Sequence, residues 1–241
     1  MRPFLSQLRT ELTLSSRQGE QILVSIGIPL LVLVFFSSVD ILPSGPVDEP
    51  IDYLVPAVLA LAVMSTSLVS LGIGTGFERH YGVLKRLGAA PLGRRRWVSA
   101  KMVMVLIIEV VQWTVLMGVG LLLGWSPPAS GWVAAVAAGL LGTAAFAGLG
   151  LFLAGTLPGI TTLALANGLY LVLLLIGGMV IPLSHLPAGL ATISKLLPAA
   201  PLSEVLIGSF TGTSVPMWAW VLLTVWALVA PVAAALTFRW E

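Results

Sequence analysis

The sequence contains no cysteine and very little charge. Without cysteine there is no disulfide, no thiolate metal site and no thiol nucleophile, and the redox compartment leaves no mark. Charged residues make up 9% of the chain, where an ordinary soluble domain carries about a quarter, so a charged, solvated surface around one apolar core is excluded. Histidine occurs only twice, at His80 and His185. They lie on opposite sides of the expected membrane, which excludes the paired histidines and glutamate of an intramembrane metalloprotease. Ser184 and His185 adjoin, but they lack a third member for a serine hydrolase. No Gly-rich loop ends in Lys-Ser or Lys-Thr. The nearest stretch, "GIGTGF" at 72–77, has no lysine and reads as close helix packing, so the chain is not expected to hydrolyse nucleotide.

What the chain does have is apolar length. Hydrophobic residues reach 58% and the mean hydropathy is +1.03. The 241 residues have room for about six spans of roughly 20 residues, with little left for a soluble domain. Residues 1–20 read as an amphipathic helix lying in the interface, with Leu5, Leu8 and Leu12 on one face beside Phe4, and Arg9, Glu11 and Arg17 away from it. They do not read as a signal peptide, because the apolar run starts only at Ile22. Spans are predicted at about 22–39, interrupted by Pro29, and at about 53–76, 98–123, 132–155, 159–181 and 216–238. The connection from Asp40 to Asp52 is acidic, and Trp125 and Trp132 bracket the turn after the third span as interfacial anchors. Residues 183–215 are too broken by proline to cross once. Their apolar pieces, 186–197 and 202–210, suit a re-entrant hairpin whose Pro182, His185, Pro187 and Pro198 are candidates for an outer gate. Lys195 and Glu204 read as interfacial anchors. The expected fold is a single all-α integral membrane domain over 1–241.

Seven of the twelve Lys and Arg residues fall between Arg79 and Lys101, around the loop "FERHYGVLKRLGAAPLGRRRW" at 77–97. With the N-terminus inside, eleven of the twelve lie on one side and only Lys195 on the other, which places both termini and the basic loop in the cytoplasm. The sequence pI of 9.3 therefore reflects membrane topology, and no nucleic-acid partner is expected. Residues 77–87 can form a helix with Phe77, Tyr81 and Leu84 on one face and Glu78, Arg79, Lys85 and Arg86 elsewhere, ended by Gly88 and Pro91. Arg94 to Arg96 either fix topology and meet anionic lipid or extend this surface.

Glu109 is the one acid deep in a span, roughly 12 Å along the helix from Lys101, with Gln112 one turn on. A bare carboxylate there is costly, so Glu109 either lines a path for a cationic or amphiphilic molecule or stays protonated and bonds a neighbouring helix. Ala134, Ala138 and Gly142, and likewise Ala135, Gly139, Thr143 and Ala147, recur at four-residue spacing, a pattern for close helix packing. Asn167 in the fifth span is expected to bond another helix, with a pathway role as the minor alternative.

The run "ERHYGVLKRLGAAPLGRRRWVSAK" resembles the cytoplasmic loop motif of ABC-2 type transporter permeases, at Glu78, Arg79, Gly82, Leu84, Lys85, Arg86, Leu87, Ala89, Pro91, Leu92, Arg94 and Lys101. A second stretch is similar at Asn167, Gly178, Ile181, Pro182, Leu183, Leu186, Pro187, Leu197 and Pro198. His80, Tyr81 and Val83 depart from the usual pattern. The resemblance implies a permease of the bacterial cytoplasmic membrane with no cofactor of its own. A separate ATPase, carrying ATP and Mg, would dock on the basic loop through Phe77, Glu78, Arg79, Tyr81, Gly82, Leu84, Lys85, Arg86, Pro91 and Arg94. It also implies a second permease chain, identical or paralogous, with membrane lipids around the pair. Such families export drugs, lipids, lipid-linked glycans and polysaccharides. Few aromatics, mostly near span ends, favour a hydrophobic or amphiphilic small molecule over a stacked sugar polymer, with lipid or lipid-linked glycan as the alternative. A membrane anchor that only holds an ATPase, and an ATP-independent carrier, are the other classes left open.

Overall fold

Long apolar runs without water force the backbone to satisfy itself within helices. The computed structural model describes residues 2–17, 19–38, 49–88 and 93–240, and among these there is no strand. The acidic connection up to residue 48, and Pro91 of the basic loop, lie outside the described residues. The helices are α1 (Arg2–Arg17), α2 (Gly19–Ser38), α3 (Pro50–Met64), α4 (Leu71–His80), α5 (Val83–Gly88), α6 (Arg94–Leu122), α7 (Trp132–Thr156), α8 (Gly159–Ile176), α9 (Ala188–Leu196), α10 (Ala199–Thr211) and α11 (Met217–Thr237). A π-helical segment, Ser65–Ser70, joins α3 to α4, so that Pro50–His80 is one continuous helix of 31 residues.

Among the described residues, five helices are long and apolar enough to cross a membrane: Pro50–His80, α6, the Ala129–Thr156 helix that contains α7, α8 and α11. The chain is an all-α integral membrane protein. Helix α2 adds 20 residues around Pro29, and its Ser25–Ser38 part is apolar. The paired α9 and α10 bend by 90° at Leu197 and Pro198. At 9 and 13 residues they are roughly 13 and 20 Å long, too short to span singly. Beside their elbow, the indole N–H of Trp226, nine residues into α11, donates to the Leu196 carbonyl at 2.8 Å. Leu202 packs on Gly142, ten residues into α7, and Phe210 returns to Trp132 at the start of that helix. Helix α10 thus runs from the elbow to the end of the bundle where α7 begins.

The core is built on α3. Its residues from Tyr53 to Met64 are apolar apart from one phenol and are buried on all sides, because α2, α6, α7 and α10 surround it. Glycines let α7 come close to its neighbours: a Cβ on Gly150 would lie 2.9 Å from the Leu68 and Ser67 carbonyls of the π segment. One on Gly148 would collide with the backbone of Ala230 and Pro231 in α11. Of the small residues at four-residue spacing, Ala135, Ala138, Gly139, Gly142, Thr143 and Ala147 are all buried.

The predicted spans match the observed helices within a few residues, except where the basic loop begins. Residues 77–87 do not form one helix. Gly82 takes the left-handed conformation at φ 68°, ends α4 with Gly82 N–H donating to the Arg79 carbonyl at 3.0 Å, and lets α5 start in a new direction. Phe77, Tyr81 and Leu84 consequently do not share a face, since Leu84 is fully buried and Tyr81 is 68% exposed.

Candidate functional site

Charged side chains at the basic end divide into those held inside and those presented outside. Lys101 of α6 is only 4% exposed, and its ammonium donates at 2.9 Å to Glu11 of α1 and at 2.7 Å to Glu78 of α4. The same Nζ lies 5.2 Å over the ring of buried Trp97. One cation thus ties three helices, and the ion pairs with two acids satisfy a charge that would be costly alone. Glu11, expected on the outward face of the first helix, instead turns into the protein, while Leu5 and Leu14 stay exposed. Beside it, Arg79 donates to the Ala154 and Leu157 carbonyls at 2.9 and 3.2 Å, occupying the C-terminal end of α7, where carbonyls lack helical partners.

The outward set is Tyr81, Lys85 and Arg86, all exposed, with Phe77 half-buried and its ring 6.1 Å from that of Tyr81. Arg94 is exposed and lies 5.0 Å over Trp240, which packs on Trp97 together with Phe238. The structure therefore places Glu78, Arg79 and Leu84 at the root of the loop and Tyr81, Lys85 and Arg86 on its surface.

A second polar layer lies deeper, around the π segment. The Ser67 hydroxyl donates at 2.5 Å to one oxygen of Glu109, and the Thr143 hydroxyl of α7 lies 2.6 Å from the other. Thr143 also lies 2.8 Å from the Gly139 carbonyl, which can only accept. With a single hydroxyl hydrogen to share, this chain closes when a neutral Glu109 donates to Thr143 and Thr143 donates to Gly139. One turn on, Gln112 accepts from Thr66 at 2.8 Å and donates at 3.1 Å to the Ser25 carbonyl of α2. The reason is local: in an α-helix that carbonyl would meet the N–H of residue 29, and Pro29 has none. Glu109 and Gln112 thus lie in one layer to which α2, the π segment, α6 and α7 contribute, whereas Asn167 stands apart on the exposed side of α8 and bonds the Leu163 carbonyl of its own helix at 3.0 Å. Sequence reading missed Glu11, Thr66 and Ser67. Three successive hydroxyl residues, Ser65 to Ser67, inside an apolar span were the available signal.

At the far end, the hairpin and α3 cap the end of α8. Ser203 donates to the Gly177 carbonyl at 2.6 Å, Tyr53 donates to that of Gly178 and Ser194 to that of Ile176. Pro182 and Pro198 are buried there, while His185 and Pro187 are exposed.

A family model described as ABC-2 type transporter matches residues 3–211, from α1 to the end of α10. The chain belongs to that family. A comparison with curated proteins finds no match. As an ABC-2 protein the chain is a permease subunit of an ABC transporter, and membership of that family implies partnership with an ABC ATPase. In this ABC-2 permease, the loop and the buried polar layer are two parts of one helix system. Glu78 sits at one end of the continuous Pro50–His80 helix and Ser67 at its π segment, so a single element joins the loop root to the layer.

Proposed function

We propose that this permease is the transmembrane half of an ATP-driven exporter in a bacterial cytoplasmic membrane, moving a hydrophobic or amphiphilic small molecule outward. A separate ATPase binds ATP and Mg and docks on the basic loop, which faces the cytoplasm together with both termini. A second permease chain, identical or paralogous, completes the pair, and membrane lipids surround it. The observation that carries this reading is the division of the loop. Exposed Tyr81 follows α4, whose end is bonded to α6 by Glu78 and to α7 by Arg79, and exposed Lys85 and Arg86 lie on α5, which buried Leu84 holds in the Trp97 cluster. A docked partner that moves those exposed residues moves the spans with them, as a rigid body rather than a floppy tether. The strong bias of Lys and Arg to one end supports the orientation.

Charge reversal at the surface tests the docking part. The Lys85→Glu/Arg86→Glu variant should insert and fold normally but retain about a tenth or less of the ATPase in co-purification from membranes, because opposed charge replaces complementary charge at the contact. Unchanged co-purification would remove the loop from the docking surface.

A further inference from the structure

A cleft opens sideways between α6 and α7, with a volume of about 260 Å³. Its walls are apolar: Leu106, Val110, Trp113, Met117, Val136 and Leu140 line it, and Val110, Val136 and Leu140 are exposed at the rim that faces the bilayer. Its floor is not apolar. Glu109, 6% exposed, and Thr143 reach the cleft from the buried layer. Gly139 shapes the wall, since a Cβ there would lie 3.0 Å from the Trp113 ring, and the buried indole N–H of Trp113 has no partner among the described residues.

We infer that this cleft is a lateral binding site for a small amphiphilic amine, whose basic nitrogen meets the Glu109 carboxyl while its apolar body lies against Trp113, Met117 and Val136. The inference deepens the exporter reading and rests on it for the direction of movement. Three occupants compete for an apolar cleft in a membrane protein, and the floor selects among them. A phospholipid acyl chain fills the walls but offers nothing to a carboxyl, and its terminal methyl, not its headgroup, would reach that depth. A second copy of the chain would have to bring a donor to the same place, and the exposed rim of α6 and α7 is apolar apart from Trp132 and from Thr114, whose hydroxyl already donates to the Val110 carbonyl of its own helix. An amine satisfies both parts. It enters from the bilayer as the uncharged free base and takes the proton of the neutral form of Glu109, in which the carboxyl donates to Thr143. The Thr143 hydroxyl hydrogen can then turn from Gly139 to the carboxylate, whose other oxygen keeps Ser67. The proton moves from carboxyl to amine, no further reactant is needed, and an ion pair replaces the neutral hydrogen-bond chain.

The cleft extends from Leu106 and Glu109, midway along α6, toward Met117 and Trp132 near the far end. A bound amine would therefore lie with its nitrogen at mid-depth and its body toward the half of the bilayer opposite the basic loop. A separate, smaller cavity of about 70 Å³ on the other side of the polar layer is lined by Glu11, Lys101, Ser25, Thr66 and Ser70. Thr66 lines this smaller cavity, while Ser67 bonds Glu109 at the floor of the cleft.

The test is photolabelling of the intact permease in lipid nanodiscs, without ATPase or ATP, using a diazirine-bearing dodecylamine and, separately, the corresponding dodecanol. The amine probe should label residues 106–117 and 132–143, dodecylamine should compete and dodecanol should not, and Glu109→Gln should weaken the amine at least tenfold. Val136→Trp, which fills the cleft from its exposed rim, should abolish labelling even if the buried Glu109→Gln variant proves unstable. Equal labelling by amine and alcohol would mean that a lipid chain is the natural occupant and would overturn the inference. So would cysteine cross-links from Val136→Cys joining two copies, since the cleft would then be covered by protein. Binding is read without nucleotide, so its failure leaves the ATPase-coupled reading standing, and loss of coupled transport with binding intact would count against that reading alone.

Discussion

Gln112 repairs a defect made by a residue on another helix. Pro29 suits an interrupted first span but has no N–H for the Ser25 carbonyl, and the Gln112 amide donates to that oxygen at 3.1 Å while accepting from Thr66. Replacing Gln112 by Leu removes that donor inside the bundle and should cost about 1–3 kcal/mol. In a Pro29→Ala background the backbone gains an N–H at that position, which can take the Ser25 carbonyl, and the same replacement should cost clearly less. A double-mutant cycle on melting temperature in detergent reads the difference, and equal costs in the two backgrounds would refute the repair. Lys101 works at the same scale. It holds Glu11 and Glu78 at once, and a pairing of this kind fixes which residues of α1, α4 and α6 meet more than it adds net stability. The sequence displayed Glu109, Gln112 and Lys101 because charged or amide groups in apolar runs stand out. It hid Glu11, because one acid on a polar helix looks solvated until the opposite cation is placed.

Among the elements, the π segment and α7 depend on each other. The extra width of Ser65–Ser70 turns the Thr66 and Ser67 hydroxyls toward α6, and Gly150 lets α7 lie directly on the carbonyls of Ser67 and Leu68. Gly150→Val would force the helices apart and should destabilise the permease by about 1–3 kcal/mol. Gly74→Ala in α4, where a Cβ meets nothing within 4 Å, should be neutral or slightly stabilising in the same melting assay. Similar losses in both would show that the Gly150 approach does not matter. Helix positions were legible because hydropathy over about 20 residues is a strong signal, and the break between α9 and α10 because Pro198 interrupts an otherwise apolar run. The break at Gly82 was less legible, since a glycine within a helical pattern is tolerated unless its backbone adopts positive φ. The π segment carries no periodic signature and was legible only as a run of hydroxyl residues.

At the scale of the whole molecule, the charges on Lys85 and Arg86 lie at one end of a system that reaches the bilayer centre. The route passes through the buried Glu78–Lys101–Glu11 ion pairs and the continuous Pro50–His80 helix to the Glu109 layer, and α7 is held at both places, by Arg79 at its end and by Thr143 in its middle. Residues that the family resemblance assigns to ATPase contact thus divide by position, with Tyr81, Lys85 and Arg86 on the surface and Glu78 and Arg79 bonded to α6 and α7. The far end is held differently, by Ser194, Ser203 and Tyr53 on the carbonyls of Ile176, Gly177 and Gly178 where α8 ends. A change at the polar layer can be transmitted there through α3, which carries Tyr53 at one end and adjoins the π segment at the other. The central claim is that ATP hydrolysis on a partner moves an amphiphile through this chain by way of the basic loop. The direct measurement is ATP-dependent uptake of a fluorescent amphiphilic amine into inside-out proteoliposomes containing the permease and its ATPase, with wild type and Lys85→Glu/Arg86→Glu compared at equal insertion. The account predicts uptake that requires ATP and ATPase together and falls at least tenfold in the double variant; uptake that persists without the ATPase, or is unaltered in that variant, would contradict it.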